Sequence, residues 1–281
     1  MAQLFTRLLL ATEHSEYDTG AEAMGFALAQ RCQLPLVTVL PLVSNPEYEA
    51  VAPQIAAQAE REAAAKIAEL RAQAQAAGVS IDLQLRRGEE PYREIVDEAM
   101  ARNSDVIIIR RRGKRSFLAN LMVGEMVSKV VSHAPCHVLI VPREARLWQQ
   151  RVLVAAEPTA LGRKIVATAI AVAGQCGLPL HLVTVVHSEG LRSEAEAFVM
   201  EQVELAQAQG TAAQGEVRVG KPYTEILAAT AASQADLIVM GSRGEPNIGR
   251  ALLGGVAQKV MGLSEQPVLV LNFLKFQGDL A

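Results

Sequence analysis

Aromatic side chains are scarce in this chain, 4% of 281 residues against 50% hydrophobic, so its core has to be built from Val, Leu, Ile and Ala. That is the usual content of parallel strands buried under helices. Cysteine is nearly missing. Cys32, Cys136 and Cys176 are widely spaced, which argues against a disulfide scaffold or a Cys-rich zinc centre and suits a reducing compartment. No excess of one charge exists either: a formal balance of −3 gives no global attraction to nucleic acid or anionic lipid. No apolar stretch reaches membrane-spanning length, and Met1–Arg7 runs into a strand pattern without a secretory-signal pattern. The expectation is a soluble, cytoplasmic protein with neither nucleic acid nor membrane as partner. Familiar catalytic signatures are absent too: there is no G-x-S-x-G, no Walker A lysine motif and no H-E-x-x-H.

What is present is alternation. Strand patterns at Leu8–Ala11, Leu36–Val43, Ile81–Leu85, Val106–Ile109 and Val138–Val141 alternate with helical patterns at Thr19–Cys32, Ile55–Ala77, Glu94–Met100 and Glu125–His133. Gly78 reads as the C-cap of the long helix, and Asn45–Val51 as irregular. Strands alternating with helices call for a parallel sheet with right-handed crossovers. The order then repeats. Cys32-Gln33-Leu34-Pro35-Leu36 matches Cys176-Gly177-Leu178-Pro179-Leu180 at an offset of 144 residues, as do Glu13 and Glu157. Asp105 matches Asp236 at 131, and Gly124, Lys129 and Val138 match Gly254, Lys259 and Val268 at 130. A period this long means two domains rather than a solenoid. They are expected over residues 1–145 and 150–281, with Pro142–Gln150 as a short charged linker.

The stretch Asp236–Leu271 carries the most chemistry. An apolar strand, Leu237–Met240, stops at Gly241; Gly244 follows, and after a polar interval Gly254-Gly255 opens a helix at Val256. Backbone N–H groups left free at a helix start, helped by the helix dipole, suit a phosphate. Gly241 and Gly244 are expected to turn with positive φ and to let a ligand lie on bare backbone.

These residues resemble the universal stress protein family, and the resemblance covers both halves. The family's nucleotide pattern is Gly, two residues, Gly, nine residues, Gly, then Ser or Thr; Gly241, Gly244 and Gly254 keep that spacing within Met240-Gly241-Ser242-Arg243-Gly244 and Leu253-Gly254-Gly255-Val256. The resemblance implies two tandem five-stranded parallel α/β sandwiches, Rossmann-like and HUP-type, packed through their last strands as an internal pseudo-dimer. It leaves homodimer formation open. It implies an adenine nucleotide, ATP or ADP, which Mg can accompany, at Ala155, Ala156, Glu157, Val185, Met240, Gly241, Arg243, Gly244, Gly254, Gly255 and Val256. The chain departs from the family at Gly255, which replaces the Ser or Thr, and at Glu13 and Glu157, which stand where an Asp is common. In the first half the pattern fails: Arg110 stands for Gly241, the loop is one residue longer, and Glu125 follows Gly124. That half reads as a degenerate copy.

Each feature has a plainer reading. The glycines also serve turns and close packing, Arg243 reads equally as a phosphate contact or a solvated arginine, and Val185 is a strand-end apolar residue. The basic run Arg110–Arg115 lacks interleaved aromatics up to Phe117, which favours a solvated loop or a patch for an anionic partner over nucleic acid. Cys32 and Cys176 read as small core hydrophobes. Cys136 and His137, with His133 beyond Pro135 and no second cluster, read as structural; His14, His181 and His187 are isolated. Neither the Ser-Gly-Gly-x-Asp-Ser nor the His-x-Gly-His signature of adenylating relatives occurs. Three functions follow: a nucleotide-binding regulator of a stress response, at most weakly active as an ATPase; a slow ATP hydrolase or phosphotransfer protein; or a scaffold that binds no nucleotide.

Overall fold

The computed structural model describes residues 5–13, 18–111, 124–242 and 253–273, with backbone alone at 46 and 48. They divide into two compact units, one within residues 5–147 and the other within 148–272. The first contains β1 (Leu8–Ala11), α1 (Thr19–Cys32), β2 (Leu36–Val43), α2 (Pro46–Val51), α3 (Pro53–Ala77), β3 (Ile81–Gly88), α4 (Pro91–Ala101), β4 (Val106–Arg110), α5 (Glu125–His133) and β5 (His137–Val141). The second contains β6 (Val152–Ala155), α6 (Ala160–Cys176), β7 (Leu180–Val186), α7 (Arg192–Ala208), β8 (Ala213–Val219), α8 (Pro222–Ser233), β9 (Leu237–Gly241), α9 (Gly255–Leu263) and β10 (Val268–Leu271).

In each unit the strands pair in parallel, in the order β3-β2-β1-β4-β5 and β8-β7-β6-β9-β10. Both units are therefore five-stranded α/β sheets, as the alternation predicts. The strand order reverses between β1 and β4 and between β6 and β9. Connections leave in opposite directions at such a point and open a crevice beyond the carboxyl ends of the strands. The central strands β1 and β6 are buried at every residue, which is why they read as unbroken apolar runs rather than as alternation.

Several local readings need correction. Asn45–Val51 is not irregular: Pro46–Val51 is helical, because the Asn45 side chain accepts the Glu47 N–H at 3.0 Å and Pro46 supplies a pre-set φ at the first turn. The helix read from Ile55 begins at Pro53, again with proline in the first turn. Gly78 does close it, at φ +65°, and Gly177 does the same for α6. Cys176 is half-buried and its Sγ accepts the Trp148 indole N–H at 3.3 Å, and Cys32 is also half-buried, so neither is a plain core hydrophobe. His181 is not isolated, since its Nε2 lies 3.0 Å from Glu216 across the β7–β8 pair. Cys136 is fully buried. Burial pushes His137 down to about 4, and it outweighs the opposite pull of Asp105. His133 packs on Tyr92 with ring centroids 5.3 Å apart. These are structural roles.

The matched aspartates do the same job in each unit. Asp105 accepts the backbone N–H groups of Thr6 and Arg7 at 2.7 and 3.1 Å, just ahead of β1. Asp236 accepts those of Gln149, Gln150 and Arg151 at 2.6, 2.9 and 3.0 Å, just ahead of β6. Removing the carboxylate with Asp236→Ala is expected to lower the stability of the second unit by about 2 kcal/mol. Urea unfolding checks this. A change below about 0.5 kcal/mol, within the range of an ordinary surface substitution, would mean that water replaces the clamp.

Candidate functional site

The crevice of the second unit is assembled from three chain segments. The first is the end of β6. Beyond Ala155, the Ala156 N–H donates to the Val183 carbonyl at 3.2 Å, and the buried Thr184 hydroxyl donates to the Ala156 carbonyl at 3.0 Å. These bonds hold the turn that presents Glu157, whose side chain is exposed at the crevice. Thr159 caps α6: its hydroxyl accepts the Gly162 N–H at 2.9 Å. Gly162 has to be glycine. A Cβ there would lie 1.9 Å from the Glu157 carbonyl oxygen.

The second segment is the end of β9. Gly241 pairs in register with Leu271 as the last residue of the strand, and it is not among the positive-φ residues. The expectation of a left-handed turn at Gly241 is therefore wrong; strand pairing keeps it extended, and what it contributes is the absence of a side chain. Arg243 and Gly244 lie outside the described residues.

The third segment is the start of α9. The Gly254 N–H donates to the Ser242 carbonyl at 2.9 Å, a bond that brings Gly241 and Gly254 together across the intervening chain. It also changes the inventory of free donors. Gly254 and Gly255 do not both offer an N–H, because that of Gly254 is taken. The first bond of the helix runs from the Gln258 N–H to the Gly254 carbonyl at 3.0 Å. The N–H groups of Gly255, Val256 and Ala257 accordingly have no intrahelical acceptor, and the positive end of the helix dipole adds to them. A Cβ on Gly255 would meet nothing within 4 Å.

Between these segments lies a cleft of ≈ 210 Å³. Ala155, Ala156, Glu157 and Val185 line it from one side, and Met240, Gly241, Gly254, Gly255 and Val256 from the other. Sequence reasoning missed Thr159, Gly162, Ile165, Val183 and Ile226, which also line it. Thr159 had a signal, a Thr just ahead of a helical apolar pattern. Ile165, Val183 and Ile226 look like any core residue, and Gly162 like a weak helix former. The cleft thus joins apolar walls, one carboxylate and a set of backbone donors without an acceptor among the described residues. Such a lining suits a flat apolar ring with hydroxyls and an anionic tail. Among the described lining residues no nucleophile is paired with a base.

The profile of the Universal stress protein family matches residues 4–142 and again residues 149–272. The chain belongs to this family. A universal stress protein of Methanocaldococcus jannaschii is 35% identical over 96 residues, which is 34% of this chain and 56% of that protein. The chain thus spans little more than half of that relative's length. A universal stress protein of Archaeoglobus fulgidus shares the fold, with a TM-score of 0.73, 22% identity, and 96% of this chain and 97% of that one covered. A universal stress protein solved in complex with cAMP matches 45% of this chain and 98% of its own at 25% identity and a TM-score of 0.40.

The first universal-stress unit carries a different crevice at the corresponding place. Arg110 is the last residue of β4, not the start of a loop, and its side chain projects where Gly241 has none. The guanidinium pairs with Glu13 and with the buried Asp18, the latter at 2.9 Å. Residues 112–115 of the basic run lie outside the described residues. No helix of the described residues is long and apolar enough to cross a membrane.

Proposed function

We propose that this chain is a stress-response regulatory protein of the cytoplasm that binds ATP or another adenine nucleotide in the crevice of its second unit, one per chain. The observation that carries this reading is the cleft at the β6–β9 reversal point, with the N–H groups of Gly255, Val256 and Ala257, which have no acceptor among the described residues, at its rim. The apolar walls of Val183, Ile226 and Met240 take the base, Glu157 meets ribose hydroxyls, and the start of α9 takes phosphate. Any Mg2+ arrives with the phosphates: no group of three or more His, Cys, Asp or Glu suited to a metal exists among the described residues.

Calorimetric titration with ATP tests the reading. A stoichiometry near one per chain is expected, abolished by Gly254→Val and unaffected by Gly124→Val. Two equivalent sites, or loss only with the Gly124 variant, would sink it. Mass spectrometry of small molecules released on denaturation is expected to find the nucleotide itself.

Gly255 offers a second check, because the space beside it is open. Gly255→Ser adds a hydroxyl donor at the phosphate end without a clash. One added hydrogen bond of about 1 kcal/mol corresponds to roughly fivefold tighter binding. Unchanged or weaker affinity would mean that the phosphate does not reach the start of α9.

A further inference from the structure

The two crevices differ by linked exchanges rather than by random wear. At the offset of 144 that aligns Glu13 with Glu157, Asp18 corresponds to Gly162; at the offset of 131 that aligns Asp105 with Asp236, Arg110 corresponds to Gly241. One unit therefore has an acid and a base where the other has two glycines. In the first unit these side chains meet: Arg110 Nε lies 2.9 Å from Asp18 Oδ1, with Nη2 on Glu13. The Asp18 side chain is 1% exposed and that of Arg110 is 15% exposed. The pair lies at the carboxyl ends of β1 and β4, the same reversal point as the open cleft of the second unit.

A buried arginine without anions is untenable, and a buried aspartate without a cation is equally so. Each exchange therefore requires the other. The remaining cavity, ≈ 190 Å³, is bordered by Glu13, Arg110 and the first turn of α5, where Glu125 replaces Gly255. The Glu125 carboxylate reaches Lys129 at 3.1 Å but still places an acid on the first turn, where the helix dipole favours an anion. A ligand phosphate would thus have to displace Arg110 from two carboxylates and then share the helix start with a third.

We propose that the first crevice is a self-liganded site: the Arg110 guanidinium, held by Asp18 and Glu13, is its resident occupant and closes it to nucleotides, while Gly162 and Gly241 together keep the second crevice open. The proposal rests on the nucleotide reading of the second unit only through its probe. The first unit acts as the fixed, always-occupied half of the tandem, and the number of ligands per chain is set by residues 18, 110 and 125.

The experiment is calorimetric titration with ATP of the full chain carrying Asp18→Gly, Arg110→Gly and Glu125→Ser, with and without Gly254→Val. The stoichiometry is expected to rise from one to two, and to be one in the triple variant that also carries Gly254→Val. If the unaltered chain binds no ATP, the reading of the second unit fails; a single new site in the triple variant would still uphold the self-liganded crevice. A folded triple variant with no new site overturns it, whereas a full second site from Arg110→Gly alone would uphold Arg110 as the occupant that closes the crevice. A thermal-unfolding cycle serves if the triple variant does not fold. Arg110→Met is expected to lower the midpoint more than Arg110→Met with Asp18→Asn does, and strict additivity overturns the proposal.

Discussion

Lys66→Met is expected to cost the first unit about 3–5 kcal/mol, the penalty of leaving a buried charge without its partner. The charge is that of Glu22, on α1, which the Lys66 ammonium on α3 meets at 2.9 Å. Both side chains are buried, 2% and 8% exposed. Thr12, at the end of β1, donates its hydroxyl to the same carboxylate, so three elements converge on Glu22. Burial alone would push the Lys66 ammonium down, but the hydrogen bond and charge of Glu22, with Glu69 behind it, raise it above its ordinary 10.5. A cation held above its unfolded value contributes stability that is complete below about 10.5 and is lost as pH climbs through the raised value. Stability of the native chain is thus expected to fall on the alkaline side, above pH 10.5, through this group. In Lys66→Met the loss is that of the Glu22 carboxylate left buried without its cation. Lys66→Met combined with Glu22→Met is expected to recover most of it, since apolar replacements of a buried pair are often neutral. Urea unfolding of the single and double variants decides the matter. A single-variant loss under 1 kcal/mol would show that Glu22 finds water instead.

The second large effect is expected from the smallest possible change, Gly162→Ala. The added methyl would lie 1.9 Å from the Glu157 carbonyl oxygen and 3.0 Å from its carbon. Backbone cannot swing aside as a side chain does, so the turn holding Glu157 has to move by an ångström or more. Overpacking of this kind costs about 1–3 kcal/mol. The larger consequence falls on binding, because Glu157, Gly162 and Thr159 all border the cleft. Losing one charged hydrogen bond of about 1.5–3 kcal/mol corresponds to roughly a ten- to hundredfold weaker affinity for ATP. Gly174→Ala on the same helix is the control. Its nearest contact would be 3.4 Å from the Thr211 hydroxyl, and it is expected to leave affinity unchanged. Equal affinities for the two variants would remove Gly162 from the site.

Gly162 also shows where the sequence stopped being informative. The strands were legible because buried parallel strands are uniform apolar runs: Val106–Ile109 needed only one more residue, Arg110, to match β4. That extra residue mattered. Read as part of a basic loop, Arg110 looked solvated, whereas in β4 it points at Asp18, a partner 92 positions away that no local pattern announces. The α2 helix was missed because its start is written in one side-chain hydrogen bond of Asn45 rather than in periodicity. His181 was taken as isolated because its partner Glu216 is on the neighbouring strand. Nine of the eleven anticipated site residues line one cleft, since a glycine pattern bound to strand ends is a local signal. What the pattern does not encode is which N–H groups remain free, and Ser242 had already claimed that of Gly254.

The carboxylate of Asp236 gathers the N–H groups of Gln149, Gln150 and Arg151, and Trp148 just before them is 2% exposed. Those four residues are thus foundation rather than tether. A half-chain cut to begin at residue 151 would lose its buried indole and two of the three donors before its first strand had started. Duplication therefore copied more than a sheet and its helices. Each copy carries its own mooring, an aspartate just ahead of the fourth strand that gathers the N–H groups leading into the first.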